Sequence, residues 1–321
     1  MMEDGKKRIL ITSRSFGKLS DQPLKTLEEA GWEVAFDRDD FDAARFAAEI
    51  PDYDAIIIGA HDFPADLMAR CPRLKLIAKH GAGLDNIDLP AAKRLGIAVT
   101  NTPGTNSGAV ADLTFGLLID CARHITKVAR DVRAGIWKST YGQDVHGKTL
   151  GIIGFGAIGK QVARRAFGFD MKVRVFDPVI EGIPEEYTGW CTLFADLQEM
   201  LSACDFVTIH VPLTEGTRKM MGAAQFAAMP EGSCFLNMAR GGCVDEDALY
   251  EALVSGHLSA AACDTVSVEP IPAGHPLLTL DQVTITSHIG MYSYEAINAV
   301  SQICADNAAA LLKGEPLQFT V

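Results

Sequence analysis

Short apolar runs alternate with helical patterns over the first hundred residues. The apolar runs predict β-strands at residues 8–12, 33–36, 55–58, 74–78 and 97–99. Helical patterns fall near residues 23–30, 42–49, 64–70 and 90–95. Strands that alternate with helices favour a parallel sheet that is covered on both faces.

The same alternation returns after a long helical pattern at residues 107–133 and a loop at 134–148. Further strands are predicted at residues 150–153, 173–176, 206–210, 234–237, 260–264 and 283–286. Helices are predicted at residues 195–203, 223–229 and 246–254, and a last one at about 294–313. We therefore expect an α/β fold with two doubly wound parallel sheets.

A glycine-rich turn joins the strand at 150–153 to a helix. Gly154, Gly156 and Gly159 form the pattern Gly-x-Gly-x-x-Gly, and Ala157 and Ile158 open the helix. The glycines permit a tight turn, close approach of a pyrophosphate and close packing of helix on strand, while the helix amides face the phosphates. Strand, turn, helix and second strand stand in the order that dinucleotide binding requires.

Asp177 ends the second strand of this unit, 18 positions after Gly159. A carboxylate there accepts hydrogen bonds from ribose hydroxyls and repels the 2′-phosphate of NADP. Arg174 precedes it by three positions in the strand, so the two side chains should point to opposite faces. NAD is the expected cofactor.

Length, composition and charge narrow the class of protein. A chain of 321 residues suits two domains, and 48% apolar with 22% charged residues is ordinary for a globular protein. The formal net charge of −12 argues against nucleic acid as a partner. The amino-terminal segment has no signal-peptide pattern, and the apolar helix at 109–122 is too short to span a bilayer.

The eight cysteines show no Cys-x-x-Cys pair and no companion histidine spacing. Several fall within apolar strand or helix patterns, where a free cysteine acts as a small hydrophobic residue. We expect reduced thiols, a cytoplasmic location, no disulfide framework and no metal site.

Polar residues follow three strands of the second half of the chain. Arg240 follows the strand at 234–237, Asp264 ends the strand at 260–264, and His288 follows the strand at 283–286. Glu269 comes five residues after Asp264. Each could alone be a surface or loop residue, but the carboxyl ends of parallel strands meet at one ligand-binding edge.

These residue types suit one reaction. A guanidinium holds a carboxylate and polarises an adjacent carbonyl. A histidine exchanges a proton with the substrate oxygen, and a neighbouring carboxylate favours the protonated ring. We expect Arg240, Glu269 and His288 to act together on a small anionic substrate.

The chain resembles the D-isomer-specific 2-hydroxyacid dehydrogenase family nearly end to end. The segments that carry the resemblance are GAGLDNID (81–88), NTPGTNSGAVADLT (101–114), GFGAIG (154–159), HVPLTEGT (210–217), ARGGCVDE (239–246), DTVSVEP (264–270) and SHIG (287–290). The resemblance implies a Rossmann NAD-binding domain inserted into a flavodoxin-like substrate domain. We expect the inserted domain at residues 105–287 and the substrate domain at 1–104 and 288–321, with a substrate cleft between them.

The resemblance also implies residue roles. It places Arg240, Glu269 and His288 in catalysis. It implies that the loop beginning at Lys79 presents backbone amides to the substrate carboxylate, with contacts from Gly81, Ala82 and Gly83. It assigns the adenosine and nicotinamide sites to Val211, Pro212, Thr217, Met238 and Asp264.

Three positions depart from the commonest family pattern, namely Asp112, Thr265 and Ser287. None lies on the expected proton or hydride path, so they weaken only the assignment to a subfamily. Glu269 argues against a formate dehydrogenase, because formate dehydrogenases of this family lack that acid.

The substrate is less constrained. The run at residues 78–107 resembles the D-3-phosphoglycerate dehydrogenase branch, and Lys79 matches its phosphate-binding position, although Lys79 could be a solvated surface lysine. His80 could add a contact or shape the loop. The alternatives are a hydroxypyruvate, glyoxylate or other 2-ketoacid reductase and, from another class, an NAD-sensing corepressor-like protein.

Two further expectations rest on the resemblance. The chain has no regulatory extension after its last helix, so control by serine is not expected. A homodimer is expected, with the helix at 107–133 and the loop around Trp137 as the contact region.

Overall fold

The computed structural model describes residues 6–37 and 41–321. Residues 1–5, which form part of the segment used to argue against a signal peptide, lie outside the described residues. The chain divides into two compact units, one of Met1–Asn106 with Met291–Val321 and one of Ser107–Gly290.

The first unit is built on a five-stranded parallel sheet. Its strands are β1 (Arg8–Ile11), β2 (Glu33–Phe36), β3 (Ala55–Ile58), β4 (Leu76–Lys79) and β5 (Ala98–Thr100). Its first helices are α1 (Gln22–Ala30), α2 (Ala43–Glu49), α3 (Ala65–Met68) and α4 (Leu89–Leu95). The strand order β2-β1-β3-β4-β5 is that of flavodoxin-like folds, which confirms the predicted fold.

The second unit is built on a seven-stranded parallel sheet. Its strands are β6 (Thr149–Ile153), β7 (Lys172–Phe176), β8 (Cys191–Phe194), β9 (Phe206–Ile209), β10 (Ser233–Asn237), β11 (Leu258–Cys263) and β12 (Val283–Ile285). Its helices are α5 (Ser107–Arg123), α6 (Ile125–Arg133), α7 (Ala157–Gly168), α8 (Leu197–Leu201), α9 (Ala223–Ala228) and α10 (Glu246–Val254). The order β12-β11-β10-β9-β6-β7-β8 contains the Rossmann arrangement, with the change of direction beside β6.

The last helix, α11 (Tyr294–Lys313), belongs to the first unit. It packs along α1, and the indole Nε1 of Trp32 donates to the carbonyl oxygen of Ala308 at 2.9 Å. After this helix, the amide of Val321 donates to the carbonyl of Val99 at 3.0 Å, so the chain end covers the open edge of β5.

The central strands form because both faces of each sheet are covered. All residues of β3, β9 and β10 are buried, so these strands have continuous apolar or small side chains rather than alternating ones. Within residues 6–37 and 41–321, no helix is both long and apolar enough to cross a membrane.

Two local features differ from the sequence expectation. The helix predicted at 107–133 is broken at His124, which has a positive φ of 54°. The Asp120 carboxylate accepts from the Thr126 amide at 2.6 Å and from its hydroxyl at 2.9 Å, and these bonds hold the start of α6. Strand β8 (Cys191–Phe194), at the edge of the seven-stranded sheet, was not predicted.

Candidate active site

The glycine turn after β6 is fixed by steric contacts. Gly154 has φ +92°, and a Cβ at this position would lie 2.8 Å from the carbonyl oxygen of His210. A Cβ at Gly159 would lie 2.1 Å from the carbonyl oxygen of Gly154, so α7 can pack this closely only if residue 159 is glycine.

The start of α7 is open to an anionic ligand. Gly156 is its N-cap and supplies no side-chain hydrogen bond, and a Cβ at Gly156 would meet nothing within 4 Å. Among the described residues, the amides of Ala157 and Ile158 at the start of the helix have no acceptor. Helix amides and the helix dipole in such a place favour a phosphate group.

Asp177 lies directly after β7 and is bonded to the glycine turn. Its Oδ2 accepts from the amide of Phe155 at 2.8 Å, and its Oδ1 accepts from the amide of Val179 at 3.0 Å. Each carboxylate oxygen has a further lone pair, so the acid can still accept from ribose hydroxyls. The guanidinium of Arg174 lies 4.9 Å above the ring of Phe194.

The other expected cofactor residues follow the neighbouring strands of the same sheet. Val211 and Pro212 come after β9, and Val211 approaches the position that a Cβ of Gly154 would take, at 2.8 Å. Thr217 closes the following turn by donating to the carbonyl of Pro212 at 2.6 Å. Met238 directly follows β10 and is buried. The residues present thus fit a dinucleotide at this edge.

His288 and Glu269 form a hydrogen-bonded pair at that edge. The Nδ1 atom of His288 lies 2.8 Å from Oε2 of Glu269, and the side chains are 45% and 39% exposed. Burial alone would raise the pKa of Glu269, but the hydrogen bond and charge of His288, together with the Val266 amide and the charge of Arg240, lower it. With Nδ1 donating to the carboxylate, Nε2 is the nitrogen left to exchange a proton with a ligand.

The turn that carries His288 is held by Asp264. One oxygen of this buried carboxylate accepts from the Thr286 hydroxyl at 2.6 Å and the Ile289 amide at 2.8 Å. The other oxygen accepts from the Gly290 amide at 2.8 Å, and the His288 amide donates to the Asp264 carbonyl at 2.9 Å. These bonds hold His288 at its positive φ of 55°.

The family resemblance assigned Asp264 to the lining of the adenosine and nicotinamide sites, and this bonding pattern was missed. No local signal could have shown it, because the donors follow 22 to 26 positions later in the chain.

Arg240 follows β10, and its segment is tied to the segment after β11. The buried Asn237 side chain donates to the carbonyls of Arg240 at 3.1 Å and Thr265 at 3.2 Å. The Nη1 atom of Arg240 donates to the carbonyl of Ala239 at 2.8 Å. Its charge also contributes to lowering the pKa of Glu269. The structure therefore brings Arg240, Glu269 and His288 together within the second unit.

The loop after β4 carries the expected substrate contacts in the first unit. The Gly81 carbonyl accepts from the Thr102 amide at 3.1 Å, and the Ala82 carbonyl accepts from the Asn101 side chain at 2.8 Å. Among the described residues, neither the Ala82 nor the Gly83 amide has an acceptor. Two fixed and open amides suit a carboxylate.

Lys79 and His80 point into the protein. The buried Lys79 ammonium donates to the Gly59 carbonyl at 2.6 Å and to Oδ1 of Asn86 at 2.9 Å. The His80 ring lies 2.9 Å from the Ser301 hydroxyl, and burial lowers its pKa to about 4. Of the two alternatives for His80, the structure supports the one in which it shapes the loop.

The eight cysteine thiols are all buried and free. Burial raises the pKa of Cys71 to about 11 and that of Cys263 to about 12. Such thiols behave as small core residues rather than as nucleophiles.

Comparison with known proteins decides the family. The model of the D-isomer specific 2-hydroxyacid dehydrogenase NAD-binding domain matches residues 115–290, which is more than half of the chain. The chain belongs to this family. Its cofactor is NAD, as the segment from Gly154 to Asp177 predicts.

Individual relatives agree with this assignment. The D-3-phosphoglycerate dehydrogenase of Methanocaldococcus jannaschii is 39% identical over 96% of this chain, which matches only 58% of that protein's length. The hydroxypyruvate reductase of Thermotoga maritima is 44% identical over 77% of this chain and 81% of its own. The crystal structure of the TT0316 protein from Thermus thermophilus superimposes with a TM-score of 0.90 at 36% identity, covering 98% of this chain and 99% of that one.

Proposed function

We propose that this chain is an NAD-dependent oxidoreductase that interconverts a D-2-hydroxy acid and its 2-keto acid. The observation that carries the proposal is the Glu269–His288 pair, which lies at the same sheet edge as the glycine turn. When bound, NAD supplies the hydride acceptor or donor. Family membership supports the same reaction.

His288 is the acid or base in this proposal. In keto-acid reduction, Nε2 donates a proton to the oxygen that was the carbonyl, and in the reverse direction it takes the hydroxyl proton. Glu269 accepts a hydrogen bond from Nδ1–H of His288 and compensates the positive charge of the protonated ring. Its lowered pKa keeps it ionised over the range in which a histidine titrates.

Arg240 binds the substrate carboxylate and polarises the adjacent carbonyl, because its planar guanidinium matches both oxygens. Lys79, Gly81, Ala82 and Gly83 are the proposed substrate-binding residues of the first unit. The open amides of Ala82 and Gly83 support that role.

The two domains have separate roles in this proposal. Residues 105–287 form the NAD-binding domain, which corresponds to the unit Ser107–Gly290. Residues 1–104 and 288–321 form the substrate-binding domain. Residues 288–290 at the start of the second range, which include His288, belong to the second compact unit.

The first candidate substrate pair is 3-phosphoglycerate and 3-phosphohydroxypyruvate. Lys79 stands at the position that resembles the phosphate contact of that branch, and the Methanocaldococcus jannaschii relative carries that name. The second candidate is hydroxypyruvate, glyoxylate or another unphosphorylated 2-keto acid. The Lys79 ammonium donates two hydrogen bonds within the protein, to Gly59 and Asn86. These bonds favour the second candidate, because they compete with binding of a phosphate by Lys79.

A panel assay of NADH oxidation with phosphorylated and plain 2-keto acids tests both candidates. If Lys79 contacts phosphate, Lys79→Ala raises KM for 3-phosphohydroxypyruvate about tenfold or more and leaves hydroxypyruvate unchanged, since a charge-assisted bond is lost. Lys75→Ala, at an exposed position before β4, is the matched control.

Equal changes in KM for both substrates would show that Lys79 acts only on its loop, and would reject the phosphate contact. No turnover of any 2-keto acid by the wild-type protein would contradict the proposed activity. That result would favour the NAD-sensing alternative.

We also propose a homodimer whose interface is formed by α6 and by the arm that follows it, residues 134–148. Helix α6 buries none of its residues, and Ile125, Val132 and Ile136 are each about half exposed. Trp137 and Tyr141 on the arm are 90% and 93% exposed. Aromatic side chains this exposed are typical of interfaces. Sedimentation equilibrium should give twice the chain mass, and a monomer mass would contradict the proposal.

A further inference from the structure

A second histidine–glutamate pair lies in the second unit. The Nε2 atom of His275 is 3.2 Å from Oε2 of Glu246, the first residue of α10. The two side chains are 20% and 13% exposed, whereas those of His288 and Glu269 are 45% and 39% exposed. This pair is therefore better shielded from solvent than the pair assigned to proton transfer.

The hydrogen bonds of His275 fix its tautomer. The Leu277 amide donates to Nδ1 of His275 at 3.3 Å, so Nδ1 is an acceptor. Nε2 then carries the proton that is donated to the Glu246 carboxylate. Both ring nitrogens are used within the protein, and the ring is suited to orienting Glu246 rather than to exchanging protons with a ligand.

The other oxygen of Glu246 reaches the loop that carries Glu269. Its Oε1 accepts from the Ser267 amide at 2.7 Å. The preceding amide, that of Val266, donates to Oε1 of Glu269 at 3.2 Å. Two successive amides are thus held by two carboxylates, one from α10 and one from the pair with His288.

Close packing against Gly241 also fixes the Val266–Ser267 peptide. A Cβ at Gly241 would lie 1.9 Å from the carbonyl carbon of Val266 and 2.2 Å from the amide nitrogen of Ser267. Gly241 directly follows Arg240, so the segment of the arginine and the segment of Glu269 touch through their backbones. A shift of the Val266–Ser267 peptide would move the groups assigned to the reaction.

We propose that Glu246, oriented by His275, is a positioning residue that fixes Glu269 and through it the His288 ring. The inference rests on the proposed function, since it concerns the same proton-transfer pair. A misplacement of about 1 Å at a reacting group can cost on the order of a hundredfold in rate. Glu246 therefore affects turnover without touching the substrate.

Four variants test this role. Glu246→Ala removes both bonds, Glu246→Gln keeps an acceptor for the Ser267 amide, and His275→Ala removes the group that orients Glu246. Glu251→Ala is the matched control, because Glu251 is an exposed acid on the same helix. The measurements are kcat, KM and the pH profile of kcat/KM with the best 2-keto acid, NADH affinity, and hydrogen–deuterium exchange of the Ser267 amide.

We expect Glu246→Ala to lower kcat about 10- to 100-fold and to change the pH profile, with NADH affinity unchanged. Glu246→Gln should retain kcat within about threefold, and His275→Ala should lie between the two. Exchange at Ser267 should be faster in Glu246→Ala and His275→Ala. Glu251→Ala should behave as the wild type in every measurement.

Wild-type kcat and pH profile in Glu246→Ala would overturn the inference, even if exchange at Ser267 were faster. If Glu246→Ala does not fold, His275→Ala decides, and an unchanged kcat there would overturn it as well. If the wild type turns over no 2-keto acid, the proposed function fails on its own. Unchanged Ser267 exchange in Glu246→Ala would then still reject the Glu246 bond as the restraint on this loop.

Discussion

The second unit contains two histidine–glutamate pairs with the same chemical groups and different surroundings. In the exposed pair, Nδ1 of His288 is hydrogen-bonded to Glu269, which leaves Nε2 for a ligand. In the shielded pair, His275 uses both nitrogens, one for Glu246 and one for the Leu277 amide. In the proposed function, the availability of the second ring nitrogen separates the proton-transfer pair from the pair that only positions it.

The two pairs are linked through the backbone amides of Val266 and Ser267. Glu246 binds the Ser267 amide and Glu269 binds the Val266 amide. On the other side, Asp264 holds the turn of His288 with both of its carboxylate oxygens. The exposed pair is thus restrained by the buried Asp264 on one side and by the partly buried Glu246 on the other, which is how an exposed functional group can still be well oriented.

The most severe way to break the exposed pair is to remove its histidine. His288→Ala should lower kcat by about 10² to 10⁴ in 2-keto-acid reduction, because the proton donor is lost. NADH affinity, measured by fluorescence titration, should not change, since the glycine turn is untouched. His275→Ala is the comparison variant, for which a smaller loss is expected, and an equal loss in both variants would contradict the distinction between the pairs.

A smaller effect is expected when the carboxylate of the exposed pair loses its charge. Glu269→Gln should lower kcat/KM about 10- to 100-fold, because the protonated His288 ring loses the negative carboxylate that pairs with it. Reduction requires the protonated ring, so the pH profile of kcat/KM should change when the carboxylate that compensates its charge is lost. The hydrogen bond and charge of His288 help to lower the pKa of Glu269, so the wild-type carboxylate is charged in the pH range where histidines titrate. A profile identical to wild type would show that Glu269 does not support the ring.

Local patterns account for the parts of the fold that could be predicted. The buried strands have continuous apolar runs, and the glycines at 154 and 159 are each required by a backbone contact. The break at His124 was missed, because it depends on one side-chain cap from Asp120 within an otherwise continuous helical pattern. The edge strand β8 was missed as well, and only the first of its four residues is buried, so its core-facing pattern is weak.

The residue types of the candidate site could be predicted from the sequence, but the hydrogen bonds that hold those residues could not. Arg240, Glu269 and His288 follow strands, and the rule on strand ends is enough to group them. The Glu246–His275 pair joins residues 29 positions apart, and the bond from Glu246 to Ser267 joins residues 21 positions apart. No periodicity in a single sequence reports such contacts. The burial of Lys79 against Gly59 and Asn86 was hidden for the same reason.

A double-mutant cycle on Glu269 and His288 tests the central claim most directly. The claim is that these residues act on the substrate as one unit, so the effect of Glu269→Gln on kcat/KM should nearly vanish once His288 is alanine. We predict less than about a threefold further loss in the double variant. Full multiplication of the two single effects would contradict the account, since it would mean that Glu269 acts independently of the histidine.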